Sequence, residues 1–147
     1  MLPRWHFLWG LIFAVIFKIL VPQTDYVYLF LIWFASVFID FDHFLTAGIQ
    51  TQRWSLRHAL RHNYEERQKA ITLKRERGVC EKGNLHIFHT VECHLIVGLL
   101  GIAFAPIFFI FIGMVFHSIL DIIWMVRHDL IESREFFLFN KIRSVFF

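Results

Sequence analysis

Charged residues are scarce in this sequence. Only 18% of its 147 residues are Asp, Glu, Lys or Arg, whereas 57% are hydrophobic and 19 are phenylalanine. A water-soluble domain of this length cannot bury so large an apolar fraction, which argues against a soluble enzyme or binding domain. We therefore predict an all-α integral membrane protein with a single membrane domain over residues 1–147.

The sequence also lacks a cysteine arrangement typical of disulfide bonds and a signal-peptide cleavage site. Cys80 lies in a basic loop and Cys93 in an apolar segment, a placement that does not suggest a disulfide framework. Without a thiolate pair among the candidate ligands, a structural zinc finger or an iron–sulfur cluster is disfavoured. The first apolar run has no small-residue cleavage site, so we expect it to be kept as a membrane span.

Four apolar stretches have the length of transmembrane helices, close to the ~20 residues that cross a ~30 Å hydrocarbon core. Short connections separate them at residues 21–25 and at Ala105-Pro106, where proline disfavours continuous helix. One helix over 85–126 is the alternative, but it would be too long to cross once without a strong tilt or kink. We predict a four-transmembrane-helix bundle, with spans at about 5–21, 26–46, 85–104 and 107–128.

The charge pattern predicts the orientation of the chain. Residues 48–84 carry nine Lys or Arg and four Glu, whereas the opposite connections carry only Asp25. The positive-inside rule therefore puts this loop in the cytoplasm and, for an even number of spans, both chain ends there too. We expect an N-in/C-in, multi-pass protein of the inner (cytoplasmic) membrane.

The cytoplasmic loop contains a basic amphipathic pattern. Leu56, Leu60, Tyr64 and Ile71 recur at roughly helical spacing among arginines and lysines, which predicts a helix on an anionic lipid surface. The same positive charges could bind a phosphate-bearing substrate, but the surface anchor is favoured because such helices are generally surface elements. The aromatic and basic C-terminal segment, residues 130–147, is predicted to be interfacial.

Side chains of metal-binding type lie near one end of every predicted span. Such groups are costly inside a bilayer and are usually paired with one another or with an ion. At 1.5 Å of rise per residue, the predicted topology brings them all to the cytoplasmic leaflet. They are His6, Asp40, Asp42, His43, His86, His89, Glu92, His117 and Asp121.

Helical spacing puts some of these side chains on shared faces. His117 and Asp121 are four residues apart and can share an ion. His86, His89 and Glu92 follow at intervals of three and form a ladder along one stripe.

The second span is less simple. Asp40 and His43 share a face, but Asp42 lies well round the helix from Asp40, so both aspartates reach one site only if the helix ends or distorts there. His6, at the start of the first span, could instead be an interfacial residue.

Other polar side chains in the sequence have structural interpretations. His58 and His62 are four residues apart in the solvated loop without matching carboxylates, and surface histidines of this kind are ordinary. His94 is turned away from the face of His89. Cys93 shares that face but is expected to pack.

Imidazole and carboxylate ligands suit Zn, Mn, Fe or Ni. Seven to nine candidates exceed one tetrahedral shell, so either two ions bind or some residues orient ligands and act as bases. We predict one or two divalent transition-metal ions, zinc first, with Glu92 or Asp42 as the base that takes a proton from water. The predicted ligands are Asp40, Asp42, His43, His86, His89, His117 and Asp121, with His6 and Glu92 as additional candidates.

Three motifs carry a family resemblance: Asp-x-Asp-His at 40–43, His-x-x-His-Thr at 86–90 and His-Ser-x-x-Asp at 117–121. Their order and membrane setting resemble the predicted membrane-bound metal-dependent hydrolases of bacteria and archaea, also described as LexA-binding, inner-membrane-associated hydrolases. Ile87 and Thr90 stand where that family usually has Arg and Ser, so the chain is more similar to a divergent archaeal branch. The resemblance implies a metal site built from the seven predicted ligands and a hydrolase activity, without naming a substrate.

Three functions remain open from the sequence. A metallohydrolase acting on a lipid or lipid-linked ester is favoured, with a phosphoester preferred because the neighbouring basic helix would attract phosphate. A metal-ion or proton-coupled carrier is the alternative, although transport sites typically lie near the bilayer midplane. A haem-binding bundle fits poorly with so many carboxylates. We expect membrane lipid rather than nucleic acid as partner, and a homo-oligomer stays open.

Overall fold

The computed structural model describes residues 3–84, 86–140 and 143, and every regular element within them is a helix. This confirms the predicted all-α class. Two short 3₁₀ turns, Ile87–His89 and Ile131–Ser133, interrupt the connections. The α-helices are α1 (Pro3–Leu20), α2 (Tyr26–Phe38), α3 (Phe41–Thr51), α4 (Leu56–Arg77), α5 (Val91–Ala103) and α6 (Ala105–Arg127).

Three helical stretches are long and apolar enough to cross a membrane: Pro3–Leu20, Tyr26–Thr51 and Ala105–Arg127. They agree with the predicted membrane protein. The predicted span over 85–104 is α-helical only as the 13 residues of α5, because the chain before it is extended at His86 and at Thr90. The Thr90 hydroxyl also donates to the Ile87 carbonyl oxygen at 2.8 Å, a local bond that competes with helix. The four-span count and the orientation stay predictions.

The chain divides into two compact units. The first, here the bundle unit, consists of Met1–Ile39 and Val91–Ile122, and the second, the basic unit, of Asp40–Thr90 and Ile123–Phe147.

In the bundle unit, glycines let α1 and α6 approach α2 closely. A Cβ at Gly10 would overlap Ser36 Oγ, and a Cβ at Gly113 would overlap the Ile32 carbonyl oxygen and lie 2.9 Å from Ala35 Cβ. Ile32 and Ser36 are fully buried there. In lipid, where helices gain little from hydrophobic burial, such close packing of small residues is a principal source of association.

The connections of the bundle unit are also local in origin. At the α1–α2 turn, Lys18 Nζ donates to the carbonyl oxygens of Pro22 at 2.7 Å and Thr24 at 2.8 Å, and Asp25 caps α2 by accepting from Val27 N at 3.1 Å. Phe104 separates α5 from α6. The alternative of one helix over 85–126 is therefore wrong.

α5 and α6 contact each other at two glycines. A Cβ at Gly101 would lie 2.9 Å from Phe108 Cα, and one at Gly98 would lie 3.2 Å from the Phe111 ring. Gly98 lies beside Phe111 and Gly101 beside Phe108, so residue numbers rise along one helix as they fall along the other. The two helices therefore run antiparallel, as the short connection predicts.

In the basic unit, the predicted loop helix is present as α4, and α3 extends beyond the predicted end of its span to Thr51. The most buried apolar residues described in the basic unit are Ala47 and Ala59. Of the four apolar positions of the predicted amphipathic pattern, Ile71 is half-buried, whereas Leu56, Leu60 and Tyr64 are 65%, 46% and 49% exposed. They do not pack inward.

The last part of the basic unit packs along α4. The Arg67 guanidinium lies 4.8 Å from the centre of the Trp124 ring, and Lys74 Nζ lies 3.2 Å from Asp129 Oδ2. The hydrogen bond between the Lys74 and Asp129 side chains raises the pKa of Lys74. Of the predicted interfacial segment 130–147, residues 141, 142 and 144–147 lie outside the described residues.

We expect Gly113→Ala to destabilise the bundle unit by about 1–3 kcal/mol, the usual range for overpacking. The added methyl group collides with backbone, the Ile32 carbonyl, so a side-chain rotation cannot relieve it. Thermal unfolding of both variants in detergent would measure this, with Gly83→Ala as control because its Cβ would lie at an ordinary 3.4 Å from Ser133 O. Equal melting temperatures for Gly113→Ala and wild type would contradict the packing argument.

Candidate metal centres

Three predicted ligands of the bundle unit, His6, His117 and Asp121, form one buried group, here the bundle cluster. His6 Nε2 lies 3.2 Å from Asp121 Oδ1, and His117 Nε2 lies 3.6 Å from Asp121 Oδ2. The two imidazole rings stack with centres 3.8 Å apart. Both histidines have no exposed surface and Asp121 has 6%. His6 is thus a fully buried residue of α1.

A backbone carbonyl fixes the orientation of His117. Its Nδ1 donates to the Ser36 carbonyl oxygen at 2.7 Å, which leaves the lone pair on Nε2, the atom that faces Asp121. A metal-ligating histidine is typically held in this way, through its other ring nitrogen. Sequence reasoning missed Ser36, because a carbonyl acceptor is common to every residue and carries no sequence signal.

The remaining histidines and aspartates of the predicted set lie together in the basic unit, here the turn cluster. The helical stretch Tyr26–Thr51 is interrupted at Ile39 and Asp40, between α2 and α3. Asp40 precedes α3, and Asp42 lies in its first turn. This break is the distortion that the sequence requires if both aspartates are to serve one site. The turn cluster consists of Asp40, Asp42, His43, His86 and His89.

Asp42 connects α3 to the chain before α5. Its Oδ2 accepts hydrogen bonds from Phe88 N at 3.0 Å and from His89 Nδ1 at 3.1 Å. The other ring nitrogen of His89, Nε2, lies 3.6 Å from Asp40 Oδ1, so the imidazole lies between the two carboxylates. Asp42 therefore orients a histidine in the turn cluster as Ser36 orients one in the bundle cluster.

The turn cluster has the spacing of ligands around an ion. His43 Nε2 lies 3.5 Å from Asp40 Oδ1, and His86 Nδ1 lies 3.7 Å from Asp42 Oδ1. These distances are too long for hydrogen bonds, yet two ligands of one tetrahedral ion lie about 3.4 Å apart for bonds of about 2.1 Å. Ligand atoms of Asp42, His43 and His86 all fall within 4.8 Å of one another. This group could hold a metal ion.

Two buried polar atoms of the turn cluster support that fit. Among the described residues, Asp42 Oδ1 and His86 Nδ1 have no hydrogen-bond partner. Buried polar atoms without a partner are rare and destabilising, and a missing ion is one of the few explanations. Burial also lowers the pKa of His86, which precedes α5 and lies outside the apolar helices, to about 4. At neutral pH its imidazole is uncharged, which is the form that binds metals.

All seven predicted ligands and His6 thus lie in one of the two clusters. Glu92, the predicted base, lies half-buried in the first turn of α5 and does not belong to the Asp42–His43–His86 group. The ligand and catalytic roles themselves stay predictions.

The histidines outside the clusters have other contacts. His62 Nε2 donates to Gln50 Oε1 at 3.3 Å, and a hydrogen bond of 3.0 Å joins His94 Nε2 to Ser118 Oγ. Both agree with the structural interpretation. Among the described residues, Cys80 and Cys93 form no disulfide bond.

We expect elemental analysis of the detergent-purified protein to give about two metal equivalents, one for each cluster, because each offers at least three ligands. His117→Ala and His86→Ala should each lose one equivalent, and Asp121→Asn should behave as His117→Ala. His128→Ala is the matched control, since His128 is exposed and its Nδ1 donates to the Trp124 carbonyl. Wild type without metal after reconstitution, or unchanged content in both cluster variants, would contradict the assignment.

The functional interpretation rests on the geometry of the two clusters. No family model, curated protein or solved structure matches the chain.

Proposed function

We propose that the protein is a membrane-embedded metal-dependent hydrolase, with four transmembrane helices, both chain ends in the cytoplasm and its site at the cytoplasmic leaflet. The observation that carries the proposal is the pair of buried polar atoms, Asp42 Oδ1 and His86 Nδ1, which lie 3.7 Å apart without hydrogen-bond partners among the described residues. A purely structural network would use these atoms in hydrogen bonds, whereas an ion between them satisfies both.

The residues of the clusters divide between binding and orientation. His43 and His86 would hold an ion with Asp42, while Asp42 also orients His89 through its other oxygen. A bound divalent ion, zinc first among the candidates, makes water acidic enough to attack an ester at neutral pH and polarises the ester oxygen. Because Asp42 orients His89, we assign to Glu92 the role of the base that takes a proton from the attacking water.

A lipid or lipid-linked (phospho)ester is the proposed substrate. A site among membrane helices is poorly suited to a freely diffusing substrate, and α4 offers exposed Arg57 and Arg61 beside its exposed apolar residues. Such a helix attracts anionic headgroups and would rest on an anionic lipid surface. The similarity of the three motifs to membrane-bound metal-dependent hydrolases supports the same reaction class.

A carrier for metal ions or protons is the second candidate. The complete burial of His6 and His117 beside Asp121 favours it, because ionisable groups deep in membrane helices often mark ion pathways. Flux assays with the protein in sealed vesicles separate the two. Zinc or proton flux that depends on His117, together with no ester cleavage, would favour the carrier.

Glu92→Gln should lower the rate of ester hydrolysis by about 100-fold or more, the usual contribution of a general base, without changing metal content. The assay would follow release of the chromophore from a chromogenic phosphodiester and of the hydrolysis product from a phospholipid in mixed micelles. Glu81→Gln, an exposed glutamate of the basic unit, is the control and should keep wild-type activity. Metal-loaded wild type that cleaves neither substrate would contradict the hydrolase proposal, and full activity in Glu92→Gln would remove the assigned base.

A further inference from the structure

His86 lies between two contacts that its segment makes with α3. Two residues after it, Phe88 N donates to Asp42 Oδ2 at 3.0 Å. Two residues before it, Asn84 forms hydrogen bonds with the Gln50 side chain. Asp42 lies in the first turn of α3 and Gln50 in its last turn, about 12 Å further along the helix axis. The segment that carries His86 is therefore attached to α3 on both sides of this histidine.

The contact at Asn84 is a reciprocal pair of amides. Gln50 Nε2 donates to Asn84 Oδ1 at 2.7 Å, and Asn84 Nδ2 donates to Gln50 Oε1 at 3.3 Å. His62 of α4 donates from Nε2 to the same Gln50 oxygen at 3.3 Å. A histidine N–H on the amide oxygen leaves the amide nitrogen of Gln50 for Asn84. These three residues, here the amide bridge, join α3, α4 and the chain before His86.

The helix that carries His62 is itself fixed to α3. Asn63 Nδ2 donates to the His43 carbonyl oxygen at 3.3 Å, and Ala59, one turn earlier on α4, is 2% exposed. The two helices contact each other along this face. His62 therefore donates to the Gln50 side chain from a fixed position.

His86 depends on such support more than the other histidines of the two clusters. His89 and His117 are each oriented by a hydrogen bond through Nδ1. Among the described residues, His86 Nδ1 is buried without a hydrogen-bond partner, and its ring contacts the His43 ring with centres 3.6 Å apart. A contact between ring faces allows sliding, whereas a metal ligand has to be placed to within about 0.5 Å. The position of the His86 backbone therefore decides where Nδ1 lies.

We propose that the amide bridge positions His86 as a ligand of the turn-cluster ion, so that Gln50, His62 and Asn84 are positioning residues of the metal site. This inference rests on the metal site of the proposed function and adds residues that do not contact the ion. Gln50 and Asn84 are exposed, so water competes for their hydrogen bonds. We therefore expect the effect of about one hydrogen bond, below the roughly 10- to 100-fold loss that follows removal of a group bonded directly to a ligand.

The first measurement is zinc affinity, titrated against a chromogenic chelator with the full-length protein in detergent. Gln50→Ala and Asn84→Ala should each weaken binding of the turn-cluster ion about two- to tenfold. The bundle-cluster ion is the internal reference and should be unchanged, because the amide bridge belongs to the basic unit. The exchange Gln50→Asn with Asn84→Gln keeps two facing amides of the same combined length and should restore the affinity. Gln68→Ala, which removes an exposed amide of α4, is the control.

The second measurement needs no metal. Diethyl pyrocarbonate modifies accessible imidazoles, and mass spectrometry locates the modified residue. In zinc-free protein, His86 should react faster in Gln50→Ala than in wild type or in the exchange variant, because its segment has lost one of its two contacts with α3. His128 is exposed and should react at the same rate in all three.

The outcomes separate this inference from the proposed function. Absence of zinc from the turn cluster of wild type would remove the metal site of the proposed function, while faster modification of His86 in Gln50→Ala would still support its positioning by the amide bridge. Equal modification rates in wild type and Gln50→Ala would overturn the inference, and so would equal zinc affinities in a protein that binds the ion. Equal weakening of both ions, or an exchange variant as weak as the alanine variants, would also overturn it, because the effect would then be a general loss of structure.

Discussion

Burial of imidazoles and carboxylates among apolar helices is the constraint on which this structure depends. Each such group must find a partner, because hydrocarbon supplies none. Asp121 meets two histidines, and His117 also reaches the Ser36 carbonyl, 81 positions away in sequence. These bonds fix where α1, α2 and α6 contact one another, so the polar cluster and the glycine contacts at Gly10 and Gly113 specify the same packing.

The sequence predicted the all-α class and the presence of His and Asp groups that could hold an ion, because both follow from composition and spacing. Apolar stretches identify α1 and α6, and the four-residue interval of His117 and Asp121 identifies a shared face. The sequence could not predict where α5 begins. Residues 85–90 have the apolar pattern of a helix, and only the hydrogen bonds from Phe88 N and His89 Nδ1 to Asp42 Oδ2 show what holds the chain before α5. Those contacts cross 46 and 47 positions, beyond any local pattern.

The interruption between α2 and α3 shows how a local irregularity can serve a site. An unbroken helix would direct Asp40 and Asp42 to different sides. With the helix interrupted between α2 and α3 at Ile39 and Asp40, Asp40 lies within 3.6 Å of both His43 and His89, and Asp42 lies within 3.7 Å of His86 and His89. Strict helical periodicity is therefore a poor guide at the position where the ligands are densest.

The long sequence separation within the turn cluster has a consequence for how the protein acquires its fold. An ion held by residues of α3 and by His86 would act as a clip that closes a large chain loop, with α4 inside it. Bringing the two ends of such a loop together costs conformational entropy. The free energy of metal binding can offset that cost, because binding of this kind contributes directly to folding free energy. Metal supply would then affect how long the newly inserted chain keeps the two ends of this loop together in the membrane.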